Sequence, residues 1–335
     1  MSSSALRERL TSASLAFAWE QWAQLGVLAE TSRRDRWAAD PEALLLFSLD
    51  VGRDDPRLFD ELLDWFRLNE RIVSVQRLKN LAVTDTHRAL IGAARDWVAS
   101  GKRKRDDGVI APTPEAQLLF RDSTVAPARS DPAFLRHGFL RGELAPSRKS
   151  SAPDLHAPIA FAFRLRHLLG LGARAEVVRF LLTVDGFDVT TAVITRAVAY
   201  ARRNVLDALA ALSAAGGISY VSVGNEQRYS IDRDRWAALL DMEQASLPVH
   251  RDWPQLLRAA AALLAWLADP RLDDLSEYMR SSEARLALER IEPDLRYAGV
   301  RIEAPERIED DWGRVEAAVT ALAALFEDPR GPGSP

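Results

Sequence analysis

The amino-acid sequence predicts a mainly α-helical protein that carries one β-hairpin. Two observations lead to this prediction. Apolar residues recur at spacings of three and four along residues 5–100, 159–215 and 249–328, which is the period of an amphipathic helix. The pattern changes at residues 219–231, where a Gly-Asn pair separates two short runs rich in Val, Tyr and Ser. We therefore expect helical regions on both sides of a short segment that contains the hairpin.

The composition is that of a globular protein. Of its 335 residues, 47% are apolar and 27% are charged, and none is cysteine, which excludes disulfides and thiolate metal sites. No apolar run approaches the roughly 20 residues that a membrane-spanning helix needs. The first residues also lack the order of a secretory signal. We expect a cytoplasmic protein that has no membrane partner.

Residues 1–105 are predicted to form a helical N-terminal domain. Asp40-Pro41 and Asp55-Pro56 each give a helix start, with Asp as the N-cap and Pro at the first helical position. The short helices that follow fit either a degenerate helix-turn-helix or a plain helical bundle, and the bundle is the favoured arrangement. The basic run at residues 102–105 fits either a solvated helix end, which is favoured, or a phosphate-contacting patch.

Two further regions differ in composition and charge. Seven of the 17 prolines fall in residues 106–158, which predicts a Pro-rich linker. Residues 248–330 are predicted to form an acidic helical C-terminal region whose apolar stripes help to form a homodimer. Residues 241–335 carry a net charge of −8, whereas residues 160–240 carry +3. An anionic ligand is therefore expected in the middle of the chain.

Residues 159–247 hold a definite series of elements. A first helix ends at Gly170-Leu171-Gly172, and three helices and a hairpin follow. The predicted bounds are helices at 174–182, about 191–198 and 202–215, strands at 219–223 and 227–231, and a closing helix after Asp234. Three short helices followed by a hairpin is the order of a winged helix-turn-helix, whose third helix enters the major groove of DNA.

The predicted DNA contacts are the residues outside the buried stripes. On the third helix, the stripe is expected to contain Val205, Leu206, Leu209 and Leu212. On the hairpin, the buried face is expected to contain Val221, Val223, Tyr229 and Ile231. Arg and Asn suit guanine and adenine edges, and a wing tip reaches the phosphate backbone. The candidate DNA-binding residues are Arg202, Arg203, Asn204 and Asp207 on the helix, and Asn225, Gln227 and Arg228 on the wing.

Five stretches carry a family resemblance: RAEVV at 174–178, YARRNV at 200–205, LAAL at 209–212, AG at 215–216 and GNEQRY at 224–229. They resemble winged-helix regulators of the MarR/ArsR kind. They are also similar to winged-helix antitoxin-type regulators found beside nucleotidyltransferase toxins. The resemblance covers about 70 of the 335 residues and implies DNA binding, usually as a dimer. Ala201 stands where such proteins often have a Ser or Thr cap, whose loss costs roughly 1 kcal/mol.

The sequence therefore predicts a sequence-specific DNA-binding bacterial transcriptional regulator, expected as a homodimer on double-stranded DNA. The alternative is an antitoxin or protein-interaction scaffold that neutralises a toxin partner, with DNA binding secondary. No enzyme activity, catalytic residue, cofactor or metal is predicted. GLGARA at 170–175 matches a dinucleotide-binding pattern, but a helical run precedes it instead of the strand that such a loop needs. The five histidines have no metal-ligand spacing.

Overall fold

The computed structural model describes residues 1–27, 35–100, 116–184, 188–302 and 311–328. Across these ranges the fold is mainly helical, with a two-stranded parallel sheet and a three-stranded antiparallel sheet. The predicted mainly α fold is confirmed. None of the helices in the described ranges is long and apolar enough to cross a membrane. The basic run at residues 102–105 lies outside the described residues.

The chain begins with five helices, which are α1 (Ser3–Gln24), α2 (Pro41–Val51), α3 (Pro56–Asn69), α4 (Val75–Leu81) and α5 (Asp85–Ser100). The predicted starts of α2 and α3 are confirmed. Asp40 accepts a hydrogen bond from the Ala43 N–H at 3.0 Å, and Asp55 accepts one from Leu58 at 3.1 Å. Both helices begin with proline. Proline has no backbone N–H, but this costs no hydrogen bond in the first turn, where N–H groups have no partner within the helix.

The described part of the predicted linker is packed on these helices. It contains β1 (Gln117–Leu118), α6 (Pro132–Leu135) and β2 (Phe139–Leu140), and the two strands pair in parallel. Leu119, Phe134 and Phe139 are buried in the same core as the N-terminal helices. The ring centroid of Phe134 lies 5.9 Å from that of Phe59 on α3. The high proline content of this segment therefore indicated an irregular backbone, but it did not indicate whether that backbone is packed against the rest of the protein.

We call residues 159–247 the middle segment. Its elements are α7 (Phe161–Leu169), α8 (Ala173–Thr183), β3 (Val189–Thr190), α9 (Thr191–Val198), α10 (Arg202–Ala214), β4 (Ser219–Val223), β5 (Glu226–Ser230) and α11 (Arg233–Leu239). The three strands form an antiparallel sheet in the order β3-β5-β4. The predicted helices and the hairpin are present, and the added strand β3 immediately precedes α9. These elements enclose a second hydrophobic core.

The C-terminal helices return to the N-terminal ones. They are α12 (Trp253–Leu267), α13 (Glu277–Tyr297) and α14 (Asp311–Glu327). Phe17 on α1 lies between two of them, with ring centroids 5.2 Å from Trp253 and 4.8 Å from Phe326. One core therefore unites the described parts of residues 1–105 and 248–330. Most of the apolar residues that motivated the predicted dimer are buried within the chain, although Leu286 on α13 is 51% exposed. The periodicity of a helix indicates that one face is covered, but it does not identify what covers it.

Two predictions of which side chains are buried were wrong. Leu206 on α10 is 41% exposed, and Ala208 takes a place in the core instead. On the hairpin, Val221 and Val223 are 49% and 53% exposed, whereas Tyr229 is buried. The pairing register explains the second error. Tyr220 lies opposite Tyr229, and Val221 lies opposite Arg228, so Val221 and Tyr229 point to opposite faces of the sheet.

Candidate nucleic-acid interface

The solvent-facing side of α10 carries the candidate groove-reading residues. Arg202, Arg203, Asn204 and Asp207 are all exposed. The opposite side of the helix is buried in the second core through Val205, Ala208, Leu209 and Leu212. Within the described ranges, neither Arg202 nor Arg203 has an ion-pair or hydrogen-bond partner. Two guanidinium groups without a partner in the described ranges and one amide side chain are therefore exposed next to each other at the start of this helix.

The first turn of α10 also presents free backbone donors. Ala201 occupies the N-cap position and offers no side-chain acceptor, as its sequence position predicted. The first backbone hydrogen bond of the helix runs from the Val205 N–H to the Ala201 carbonyl at 3.2 Å. The N–H groups before Val205 therefore have no partner within the helix, and the start of a helix carries a partial positive charge. This charge has the same sign as that of Arg202 and Arg203.

The turn between α9 and α10 is fixed by contacts to α4. The Arg77 Nε donates to the Val198 carbonyl at 2.8 Å, and the Asn80 Nδ2 donates to the Ala199 carbonyl at 3.0 Å. The Ser74 Oγ and the Tyr200 hydroxyl share a hydrogen bond of 2.8 Å. We call these three hydrogen bonds the α4–turn contacts. Because they hold three consecutive residues of the turn, they fix the position from which α10 begins.

Backbone conformation at this turn is unusual for its residue type. Ala199 adopts the left-handed region, with φ +52° and ψ +39°. That conformation costs a non-glycine residue about 1–2 kcal/mol, and it persists where surrounding contacts hold it in place. At the other end of α9, Thr190 caps the helix by accepting a hydrogen bond from the Val193 N–H at 3.4 Å, as predicted. Both ends of α9 are thus defined by identifiable contacts.

The hairpin offers a smaller set of polar groups. Gly224 has φ +60°, the left-handed geometry that a tight hairpin turn requires, and Asn225 beside it is exposed. Gln227 is exposed, but its Oε1 accepts a 2.6 Å hydrogen bond from the Tyr229 hydroxyl. Arg228 is only half exposed, and its buried Nε has no hydrogen-bond partner in the described ranges. Asn225 is therefore the least constrained of the three predicted hairpin residues.

Behind α10, a set of buried charged side chains joins the middle segment to the N-terminal helices. We call it the buried ion network, and its members are Asp40, Glu42, Arg77, Arg166, Glu176 and Arg179. Each is at most 4% exposed. The positive charges of its three guanidinium groups equal the negative charges of its three carboxylates, so the network is neutral overall. The first three members belong to the N-terminal helices and their caps, and the last three belong to α7 and α8. The network therefore lies across the boundary between the two cores.

Arg166 is the residue that links the two halves of this network. Its guanidinium donates to both carboxylate oxygens of Glu42, at 2.8 and 2.7 Å, and to Glu176 Oε1 at 3.0 and 2.6 Å. Arg77 binds Asp40 and also reaches Glu42 Oε2 at 2.9 Å. Arg77 is the same residue that donates to the α9–α10 turn. The Ser74 N–H also donates to Glu42 Oε1 at 2.7 Å. Two of the three α4–turn contacts, those of Ser74 and Arg77, are therefore continuous with the network, and the Asn80 contact is separate.

Burial and charge act in opposite directions on these carboxylates. Burial alone would raise the pKa of Glu176, but Arg166, Arg179 and Arg77 outweigh it and hold that pKa far below its ordinary value. The pKa of Asp40 is likewise lowered, because Arg77 and Arg179 outweigh the effect of burial. Both groups remain ionised at neutral pH. This network was not predicted from the sequence, although charged residues such as Glu176 and Arg166 within largely apolar helical runs were a signal of it.

Other kinds of site receive less support from the geometry. Gly170 to Gly172 joins the helices α7 and α8. In the described ranges, no group of three or more His, Asp or Glu side chains is placed to hold a metal ion. Comparisons with models of known protein families, with curated proteins and with solved structures each gave no match. A functional conclusion therefore depends on the surface of α10 and its surroundings.

Proposed function

We propose that the middle segment is a winged helix-turn-helix that binds double-stranded DNA, and that the protein is a sequence-specific transcriptional regulator. One observation carries the proposal. Arg202, Arg203 and Asn204 are exposed and adjacent at the uncapped start of α10, and neither arginine has a partner in the described ranges. Arg suits the acceptor pair of guanine, and Asn suits the donor and acceptor of adenine.

The order of elements supports this reading of the segment. A helix, a short strand, two helices joined by a tight turn, and a hairpin follow one another from α8 to β5. The strand before α9 pairs with β5, so the hairpin is anchored beside the helix pair. In such a unit the second helix of the pair enters the major groove and the wing contacts the backbone. Here that assigns base reading to α10 and phosphate contact to the hairpin.

The decisive experiment is selection of bound sequences from random duplex DNA, followed by titration of single sites. At the preferred site, Arg203→Ala should weaken binding by about 1–3 kcal/mol and relax selectivity at one position. The control is the double variant Arg285→Ala/Arg290→Ala, which removes two exposed arginines from α13. Unchanged binding by Arg202→Ala/Arg203→Ala, with the fold intact by circular dichroism, would contradict the proposal.

The hairpin contact is tested separately. If Arg228 meets a phosphate, Arg228→Ala should weaken all sequences equally and lower the slope of log affinity against log salt by about one. Because Arg228 is half-buried, the thermal stability of the Arg228→Ala variant must be measured together with its affinity for DNA. Two copies on a palindromic site would double these contacts. Sedimentation with and without DNA therefore reports whether the protein pairs there.

A second function is favoured by a different observation. Tyr220, Val221 and Val223 on β4 are each about half exposed, and Leu206 on α10 is 41% exposed. Such side chains suit a protein partner better than a phosphate backbone. We propose, as the alternative, an antitoxin or interaction scaffold that neutralises a toxin. Val221→Ser should abolish capture of such a partner and leave DNA binding intact, because it adds no charge to the hairpin, whereas Arg203→Ala should do the reverse.

A further inference from the structure

We propose that the outer edge of β4 binds the same edge of a second copy of this chain, so that the two hairpins join into one continuous antiparallel sheet. The partner is therefore an uncharged β-strand that offers backbone N–H and carbonyl groups. The inference goes beyond the proposed function, because it concerns how copies of the chain associate and holds whether or not the protein binds DNA.

The two edges of the three-stranded sheet differ in how well they are protected. The order β3-β5-β4 leaves β3 and β4 as the edge strands within the described ranges. β3 is only two residues long, and a very short edge offers few groups for pairing. β4 is five residues long, is exposed along its whole length, and contains neither a charged residue nor a proline. Charged residues and proline usually protect an edge strand, so β4 is an unprotected template for another strand.

The register of the hairpin shows which backbone groups of β4 point outward. Val223 lies opposite Glu226, so the loop between them has two residues and closes with a hydrogen-bonded pair. Hydrogen-bonded and non-hydrogen-bonded pairs alternate along an antiparallel ladder. Tyr220 and Ser222 therefore occupy non-hydrogen-bonded positions, and their N–H and carbonyl groups point away from β5. These are the donors and acceptors that the edge offers to a partner.

One antiparallel register uses all of these outward groups. When Val221 lies opposite its own counterpart in the second copy, Tyr220 lies opposite Ser222 on both sides of the two-fold axis. Each of these two pairs then exchanges two hydrogen bonds, because outward groups meet outward groups. A shift of one position places each outward residue opposite one that is bonded to β5, and a shift of two leaves a single matched pair within β4. The strand is therefore complementary to itself.

The side chains of β4 fit the same register. Val221 and Val223 lie on the face of the sheet opposite to Tyr220, and they are 49% and 53% exposed. Val221 would contact its counterpart across the axis, and no like charges would meet between the two β4 strands. Arg228 lies opposite Val221 on β5. Its two copies would be three strand spacings apart, roughly 14 Å, which exceeds the screening length of about 8 Å at physiological salt. A second copy supplies this match by symmetry, whereas a different protein would need a strand of the same pattern.

Introduced thiols test the register, because the chain has no cysteine of its own. At the central pair the Cα atoms would be about 4.5 Å apart, within the roughly 4.4–6.8 Å that a disulfide spans. The two copies of position 223 would be four residues apart along the strands, roughly 13 Å, which is too far for a disulfide. Val221→Cys should therefore form a disulfide-linked dimer on mild oxidation. Val223→Cys is the matched control on the same face and should stay monomeric.

Sedimentation of the unaltered chain across a range of protein concentrations tests the association itself. The average mass should double as the concentration rises, and exchange of the Tyr220 and Ser222 amide hydrogens should slow over the same range. Circular dichroism checks that both cysteine variants are folded. Cross-linking of Val223→Cys as fast as Val221→Cys, or of neither variant, would overturn the proposal. A chain that stays monomeric at every concentration would also overturn it and would leave this edge to the strand of a different protein.

Discussion

Replacing Arg166 by methionine is predicted to lower the free energy of unfolding by about 3–5 kcal/mol, because it breaks the buried ion network at its central link. Methionine has a similar length and no charge, so the change removes hydrogen bonds with little loss of volume. The lost donors now serve both oxygens of Glu42, one oxygen of Glu176 and the Ile72 carbonyl at 2.6 Å. The network would change from neutral to a net charge of −1 without access to water.

The magnitude follows from what each carboxylate retains. Glu42 would keep Arg77 and the Ser74 N–H, at 2.9 and 2.7 Å, and Glu176 would keep Arg179 at 2.8 Å. Neither carboxylate is left bare, but three carboxylates would share two guanidinium groups. Removal of one member of a buried pair costs about 3–5 kcal/mol, because the remaining charge stays desolvated. That is a large fraction of the 5–15 kcal/mol by which a typical domain is stable.

Urea denaturation followed by tryptophan fluorescence measures this loss. The double variant Arg166→Met/Glu176→Gln restores the balance of charges, so it should be clearly more stable than the sum of the two single changes predicts. Arg271→Met is the control, since Arg271 is 83% exposed where it pairs with Asp269 and should leave the urea midpoint unchanged. A loss below 1 kcal/mol for Arg166→Met, or strict additivity in the cycle, would refute the reasoning.

Three further predictions follow from buried or strained positions. The lowered pKa of Glu176 stabilises the fold at neutral pH, and this contribution should be lost as the pH falls below about 4.3, the ordinary pKa of a free glutamate. Glu176→Gln should therefore weaken the dependence of the unfolding free energy on pH in that range, and an unchanged dependence would contradict this prediction. Phe326→Ala should cost about 3–5 kcal/mol in urea denaturation, because it removes the ring stacked 4.8 Å from Phe17. Gly26→Ala should lower the melting temperature, since Gly26 has φ +97° and a Cβ there would lie 2.7 Å from the Ser151 carbonyl oxygen; an unchanged melting temperature would show that the loop adjusts freely.

Local signals in the sequence predicted local structure well. The caps at Asp40, Asp55 and Thr190 and the turn at Gly224 depend on a few neighbouring residues, and each is present. The exposed residues at the start of α10 followed from the same kind of reasoning, because an apolar stripe defines its own opposite face. Whether DNA binds that face stays a prediction.

Non-local relations were not accessible from the same patterns. The stripes of α12 and α14 indicate burial, but pairing with α1 depends on residues far away in the sequence, such as Arg9 and Thr320, which are 311 positions apart. The ion network has the same character, because Arg166 and Glu42 are 124 positions apart. The error at Val221 had a simpler origin: the hairpin register decides which residues share a face, and a displacement of one position reverses every assignment.

The return of α14 to α1 has a consequence for the order in which the protein folds during synthesis. A growing chain that has reached residue 250 already contains all the residues of the second core. The first core must wait for α12 to α14, and until they emerge the inner side of α1, including Leu6, Leu10 and Phe17, lacks its final cover. Domains usually fold as units and in order from the N-terminus. In this chain the middle segment can complete its packing first. The N-terminal helices are synthesised earliest, but their apolar faces stay uncovered, and so prone to aggregate, for the longest time.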